Sequence, residues 1–382
     1  MPRLLILFSL VNLVIGSSAF VISGILPLVA GGLKISVPAA GQAVTAYAVS
    51  TAVLAPLLLL ATGRWPRRSV LLLGLILFTL GNAVCALAPS LPVLLVGRVL
   101  MGLGAVFTPV AAGIAVALVE PARRGQALAL VFMGMSLSYV VGIPLGAWLG
   151  FAHGWHTPLW GATLLSALAL AAVWRGVPGR LVAPGASFAG LGTLLARPAT
   201  WAVLMMTLLY FTAIFSVFSY IGSVLPALVP MGPAALSGAL ALFGVSGVVG
   251  TLMGGRAADR FGTRRTLAVQ LALLFAMMML LPLTTGHPVA MMGVMLVWGT
   301  AGFGMMAPQQ GRLAQIAGAQ TPLALSLNAS MLYLGTALGA AAGGLAAGPL
   351  GFARLAWVGA PFAAAAWLLL MAPTLRRQPV SA

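Results

Sequence analysis

Two carboxylates occur in this sequence of 382 residues, Glu120 and Asp259, so paired-carboxylate chemistry would have to join those two. Three histidines (His153, His156 and His287) and the single cysteine, Cys85, complete the groups that titrate near neutrality or act as nucleophiles. Cys85 sits inside an apolar run, where a lone cysteine is a small hydrophobe and can form neither an intramolecular disulfide nor a cysteine metal cluster. The histidines fall between apolar runs. No nucleophile–base pair or metal constellation can be assembled, so an enzyme, a cofactor and a metal site are all unexpected. Eighteen methionines invite a copper reading through thioether ligands. However, Met205-Met206 and Met277-Met278-Met279 are consecutive and would point in different directions on a helix, as flexible core filling does.

Arginine is the remaining chemistry. Arg98 lies about six residues inside an apolar run, roughly 9 Å along a helix axis at 1.5 Å per residue. An ionisable group at such depth is costly and marks a functional candidate; the bland alternative is a side chain that snorkels to the nearer interface. No acid lies at that depth. Its partners must come from backbone carbonyls, water, neutral groups such as Gln42 or Tyr47, or a substrate. A cargo or counter-ion that is partly anionic or rich in acceptors is the matching expectation.

The elements that must position these groups follow from composition. Hydrophobic residues make up 62% and charged residues 5%, against roughly 45–50% and about 25% in soluble domains. So few charges cannot cover a soluble surface. The 19 bases (Lys34 is the only lysine) give a net charge of +17, but they are spread through apolar sequence and do not form a nucleic-acid face. A bilayer core needs about 20 mainly apolar residues per helix, and twelve such runs are present. The first six are Leu4–Val29, Pro38–Thr62, Val70–Ala88, Pro92–Leu118, Gly125–Gly150 and Pro158–Trp174. The second six are Trp201–Leu225, Ala234–Gly254, Thr266–Leu283, Val289–Ala307, Leu323–Ala347 and Leu355–Met371. The first run is too long for a cleaved signal and is expected to be kept. With the N-terminus inside, sixteen bases fall on inner loops, and only Lys34 and Arg354 fall on outer ones. That asymmetry predicts a multi-pass inner-membrane protein with both termini cytoplasmic and its bases near anionic lipid heads.

A repeat is also present. Arg67-Arg68 matches Arg264-Arg265 at an offset of 197, and the same offset carries Gly102 to Gly299, Gly142 to Gly339 and Gly146 to Gly343. The expected organisation is a six-helix bundle over 1–174, a cytoplasmic linker over 175–198 and a second six-helix bundle over 199–382. Duplicated halves of this kind imply alternating access, with substrate near the midplane between them.

The motifs resemble those of the major facilitator superfamily over essentially the whole chain. The segment after the eighth run reads Gly255-Arg-Ala-Ala-Asp259-Arg260-Phe-Gly262-Thr-Arg264-Arg265, like that superfamily's glycine-acid-arginine loop. Gly142-Ile-Pro144-Leu-Gly146-Ala-Trp148-Leu-Gly150 is similar to the glycine-proline motif of its drug and metabolite exporters, and Arg98-Val-Leu-Met-Gly102-Leu-Gly104 to its fourth-helix arginine motif. Gly16-Ser-Ser-Ala19-Phe-Val-Ile-Ser-Gly24-Ile-Leu-Pro27 and Trp298-Gly-Thr-Ala-Gly-Phe303 look like the branch of sugar, amphenicol and purine nucleoside exporters. That branch commonly carries a glutamate where Ala19 stands and a histidine near Ala105; both are missing here.

The resemblance implies an all-α fold of two pseudo-symmetric six-helix bundles and a secondary transporter, without enzymatic activity, that exports a drug, sugar or nucleoside-like metabolite, usually against inward proton flow. The acid deficit argues against the proton step. An uncoupled facilitator or exchanger of an anionic molecule is the alternative, and a non-transporting receptor a further one. Gating is expected from Arg67, Arg68, Glu120, Gly142, Pro144, Gly146, Gly255, Asp259, Arg260 and Arg264, with Asp259 as an arginine latch or else a solvated surface charge. Substrate contacts are expected from Ser17, Ser18, Gln42, Tyr47, Arg98, Phe107, Thr108, Met133, Tyr139, Phe211, Phe215, Trp298, Phe303, Asn328 and Tyr333. Thr212 and Ser219 belong to the same stretch of the seventh run. The expected partners are a small-molecule substrate and membrane lipids, with protons doubtful, no nucleic acid, and a monomeric chain.

Overall fold

A computed structural model of the chain describes residues 2–120, 123–179 and 191–372. Pro121, linker residues 180–190 and the pair Arg376-Arg377 lie outside the described residues. Among the described residues, twelve helices are long and apolar enough to cross a membrane. They are α1 (Arg3–Leu33), α2 (Val37–Ala61), α3 (Arg67–Ala86), α4 (Leu91–Ala117), α5 (Arg124–His153) and α6 (His156–Gly176). Then come α7 (Pro198–Phe218), α8 (Pro233–Phe261), α9 (Thr263–Thr284), α10 (Pro288–Ala317), α11 (Leu323–Leu350) and α12 (Phe352–Met371). Each coincides with one of the apolar runs, so the fold is all-α as the sequence implies.

Local chemistry sets the ends. α1 stops at Lys34, which adopts φ 54°. The Lys34 N–H donates to Gly31 O at 3.2 Å and the Ile35 N–H to Ala30 O at 3.0 Å, the paired bonds of a Schellman stop. Ser36 then caps α2, its hydroxyl accepting from the Ala39 N–H at 3.2 Å. Two turns widen to π geometry, Ser50–Leu54 in α2 and Ser138–Gly142 in α5. Each closes two residues before a proline, Pro56 and Pro144. A proline has no N–H for the i−4 carbonyl and its ring crowds that oxygen, so the widened turn relieves the clash without breaking the helix.

The glycine-acid-arginine segment is not a loop, contrary to the sequence reading. α8 runs through Phe261, which places Gly255, Asp259 and Arg260 in its last two turns, and α9 starts at Thr263. Only Gly262 interrupts them, at φ 85°, a conformation glycine adopts without strain. Arginine, alanine and aspartate do not stop a helix unless a breaker follows, and the breaker here is Gly262.

By contacts the chain forms two units. The first comprises Met1–Ser187 with Ser219–Ser223 and Met231–Gly244; the second comprises Phe188–Phe218, Val224–Pro230 and Val245–Ala382. Within the first, α5 lies along α1, while α3 packs on α4 and α6. Glycines tie the two added segments in: a methyl group on Gly222 would overlap the Gly24 carbonyl, and one on Gly244 the Tyr139 carbonyl. Within the second, α7 lies along α11 and α12, and α9 packs on α10 and α12.

Candidate functional site

In the first unit Arg98 is fully buried on α4. Its Nε donates to Ala43 O of α2 at 2.9 Å, Nη1 to Ser18 O at 3.3 Å and Nη2 to Ala19 O at 2.6 Å, both on α1. The guanidinium carbon lies 4.9 Å from the centre of the Tyr47 ring. The side chain therefore does not snorkel. Its charge is met by carbonyl dipoles and a π face, each charged hydrogen bond contributing about 1.5–3 kcal/mol. Ala19 supplies one of these carbonyls. The cargo anion inferred from an unpaired Arg98 loses its basis in this conformation, since the fork is engaged with protein atoms.

Around this arginine the expected aromatic residues gather with one that was not expected. Phe20 lies edge-on to Tyr47 at 6.3 Å and stacks on Tyr139 at 5.7 Å. Tyr47 is buried and Tyr139 half-buried. Ser18 contributes its carbonyl to the arginine, and Ser17 donates back to Leu13 O at 2.7 Å. Gln42 and Met133 are exposed and join none of these contacts. Phe107 is buried edge-on to Phe8 at 5.9 Å and serves the core.

Thr108 donates to Asn12 Oδ1 at 2.7 Å, and Asn12 Nδ2 donates to Val131 O at 3.0 Å, so one buried amide links α1, α4 and α5. Asn12 was missed, although its signal is simple: it is the one amide in the first apolar run and must find partners there.

The second unit carries a counterpart. Gln309 Nε2 on α10 donates to Val203 O at 2.7 Å and to Thr207 Oγ1 at 2.9 Å, both on α7. Thr207 Oγ1 donates to Asn328 Oδ1 on α11 at 2.7 Å. Asn328 was expected at a site; Thr207 and Gln309 complete it. Phe211 and Phe215 stack at 5.9 Å, flanked by Tyr210 and Phe218 at 4.7 and 5.6 Å. Thr212 and Trp298 are buried, while Phe303, packed where Gly247 has no side chain, and Tyr333 are half-buried. Ser219 is buried in the first unit.

The glycine row of α5 runs along α1 in one step of eight, across Ser138, and then two of four. Methyl groups on Gly134, Gly142, Gly146 and Gly150 would strike Ser9, Ser17, Val21 and Ile25 in turn. The row is thus a close-approach seam between two helices, with Pro144 and its π-turn set inside it.

The expected latch residues are placed differently. Glu120 and Asp259 are exposed, and among the described residues neither forms an ion pair. Gly255 has no neighbour that a side chain would meet, and Arg260 rests over the Phe261 ring at 5.3 Å. Arg68 donates to Trp174 O near the end of α6, while Arg264 donates to Leu370 O and Met371 O at 3.3 and 3.4 Å at the end of α12. Arg197 does the same for α10 through Ile316 O at 2.9 Å. Cations there satisfy open carbonyls and oppose the negative end of the helix dipole. Arg67 is buried and donates to Gly63 O at 3.0 Å.

Known proteins resemble this chain along nearly its whole length. It is 33% identical over 368 residues to the inner membrane transport protein YdhP of Escherichia coli K12, covering 96% of this chain and 94% of that protein. It is 32% identical over 345 residues to a chloramphenicol resistance protein of Streptomyces lividans, covering 89% and 88%. The solved D-xylose-proton symporter shares the fold with a TM-score of 0.77 at 15% identity, covering 96% of each chain. Residues 8–321 match the family described as Major Facilitator Superfamily. Twelve apolar helices among the described residues agree with that match: the chain belongs to the major facilitator superfamily, as a membrane transporter of small molecules.

Proposed function

We propose that the chain exports a small organic molecule across the bacterial inner membrane by alternating access, both termini in the cytoplasm. The observation that carries this reading is the α5 seam. Along it Ser17, Val21 and Ile25 of α1 seat against Gly142, Gly146 and Gly150 of α5, so a bend at the π-turn before Pro144 would change how these two helices meet. Likeness to an inner membrane transport protein and to a chloramphenicol resistance protein supports the compartment and the outward direction. In the first unit the half-buried Tyr139, stacked on Phe20, offers the cargo aromatic surface with few polar groups, as small-molecule sites generally do.

One observation favours uncoupled movement over proton exchange. Both carboxylates sit exposed at or beyond helix ends, and no Asp, Glu or His lies in a helix interior to carry a proton. The discriminating experiment loads proteoliposomes with a panel of chloramphenicol, arabinose and purine nucleosides and follows release with and without an imposed pH gradient. Protein-dependent release of a panel member at a rate indifferent to the gradient is expected. Release that needs the gradient would refute the uncoupled reading, and no protein-dependent release of any compound would refute the exporter.

A further inference from the structure

Within the second unit, α8, α9 and α10 leave a groove of about 620 Å³. Its walls are apolar and open to whatever surrounds the helices: Met253 is 55% exposed, Val269 60% and Leu273 39%. At one end stands Arg265, also exposed, beside Phe261. Arg256 and Arg260 lie nearby on the last turns of α8, and Asp259 is the single acid among them. From Arg265 to Leu273 is eight residues, about 12 Å of helix. Part-way along, Gln270 lines the groove with its Oε1 buried and without a hydrogen-bond partner.

Size and polarity select the occupant. A groove in the apolar band of a membrane protein is filled from the membrane. A lipid carries an apolar chain and an anionic head on one molecule, which is the pattern of these walls and this mouth. An acyl chain is narrow enough. The cationic mouth at Arg265 requires a negative head. We propose that this groove is a specific site for one anionic phospholipid. Its phosphate rests on Arg265 and its acyl chain lies along Val269 and Leu273. The site is confined to the second unit and does not depend on the cargo or the direction of transport.

The test is native mass spectrometry of detergent-purified protein titrated with palmitoyl-oleoyl phosphatidylglycerol or with the phosphatidylcholine of the same chains. Wild-type protein is expected to retain the glycerol lipid at least tenfold more than the choline lipid. Arg265→Ala should bring that ratio near one, while Arg124→Ala, which removes a cation at the start of α5, should leave it unchanged. Val269→Trp fills the groove from an exposed position and should lower retention of both lipids. Size-exclusion profiles verify that the variants stay folded. An unchanged ratio in Arg265→Ala, or undiminished retention in Val269→Trp, would overturn the proposal. An equal loss of preference in Arg124→Ala would also overturn it, by reducing the effect to general surface charge.

Discussion

Substituting Gly142 by alanine tests the α5 seam at its most informative point. The new methyl carbon would overlap Ser17 Oγ and lie 2.6 Å from Ser17 Cβ and 3.3 Å from its Cα. Carbon atoms pack at about 3.5–4.0 Å. Rotating the serine moves Oγ but not Cβ, so α1 and α5 must part locally by about 1 Å. Overpacking of this kind costs about 1–3 kcal/mol. The cost should follow what each methyl meets. Gly134→Ala meets backbone, Ser9 C at 2.7 Å and Leu13 N at 2.8 Å, and belongs at the upper end. Gly150→Ala meets Ile25 Cγ2 at 2.7 Å, a side-chain tip that can move, and belongs at the lower end. Gly125→Ala meets nothing within 4 Å and should gain helix propensity of up to about 1 kcal/mol. Thermal midpoints of the purified proteins in one detergent should rank Gly125→Ala, wild type, Gly150→Ala, Gly142→Ala, Gly134→Ala from highest to lowest. Ranking is the proper readout because such unfolding is seldom reversible. Ser17→Gly combined with Gly142→Ala removes both Oγ and Cβ and should recover about 1 kcal/mol or more as coupling. Flux through proteoliposomes should fall and recover in parallel. A Gly142→Ala protein as stable and active as Gly125→Ala, or a double variant no better than the single, would refute the reasoning.

Three further outcomes follow from the buried polar groups. Arg98→Lys keeps the charge but loses the planar fork that reaches carbonyls on α1 and α2 together, and should lower stability by about 1–3 kcal/mol; an unchanged thermal midpoint would contradict that. Thr207→Val strands Asn328 Oδ1 and one donor of Gln309 for about 1–3 kcal/mol, whereas Thr207→Ser should melt close to wild type. Cys85, buried between α3 and α4, should resist maleimide in the native protein and react on denaturation, as followed by intact mass. Prompt native labelling would mean that α3 and α4 open.

Composition and charge placement made the twelve helices legible, because a bilayer dictates length and polarity together. Helix ends were less so. The last turns of α8 are polar yet helical, and only Gly262 marks the true stop. The π-turns had a signature in Pro56 and Pro144, but a proline alone does not say whether a helix kinks, widens or ends. At the site, the depth of Arg98 was readable while its partners were not: the oxygens of Ser18, Ala19 and Ala43 are backbone atoms and carry no side-chain pattern. Thr207, Gln309 and Asn328 are 102 and 121 residues from contact to contact, so each looked like an isolated polar residue in its own helix. Phe20 was passed over as one more apolar side chain, since stacking on Tyr139 depends on how α1 and α5 meet.

The carbonyls that hold Arg98 also bear on how the chain is made. An arginine at the centre of a lone helix resists insertion by about 2.5–3.5 kcal/mol. The oxygens that receive it belong to α1 and α2, and synthesis proceeds from the N-terminus. Those helices have already left the ribosome when Arg98 emerges, so the arginine enters the bilayer toward acceptors already in place. The order of the genes' codons and the order of assembly agree at this residue, and a permuted chain beginning at α4 would present the charge before its acceptors existed.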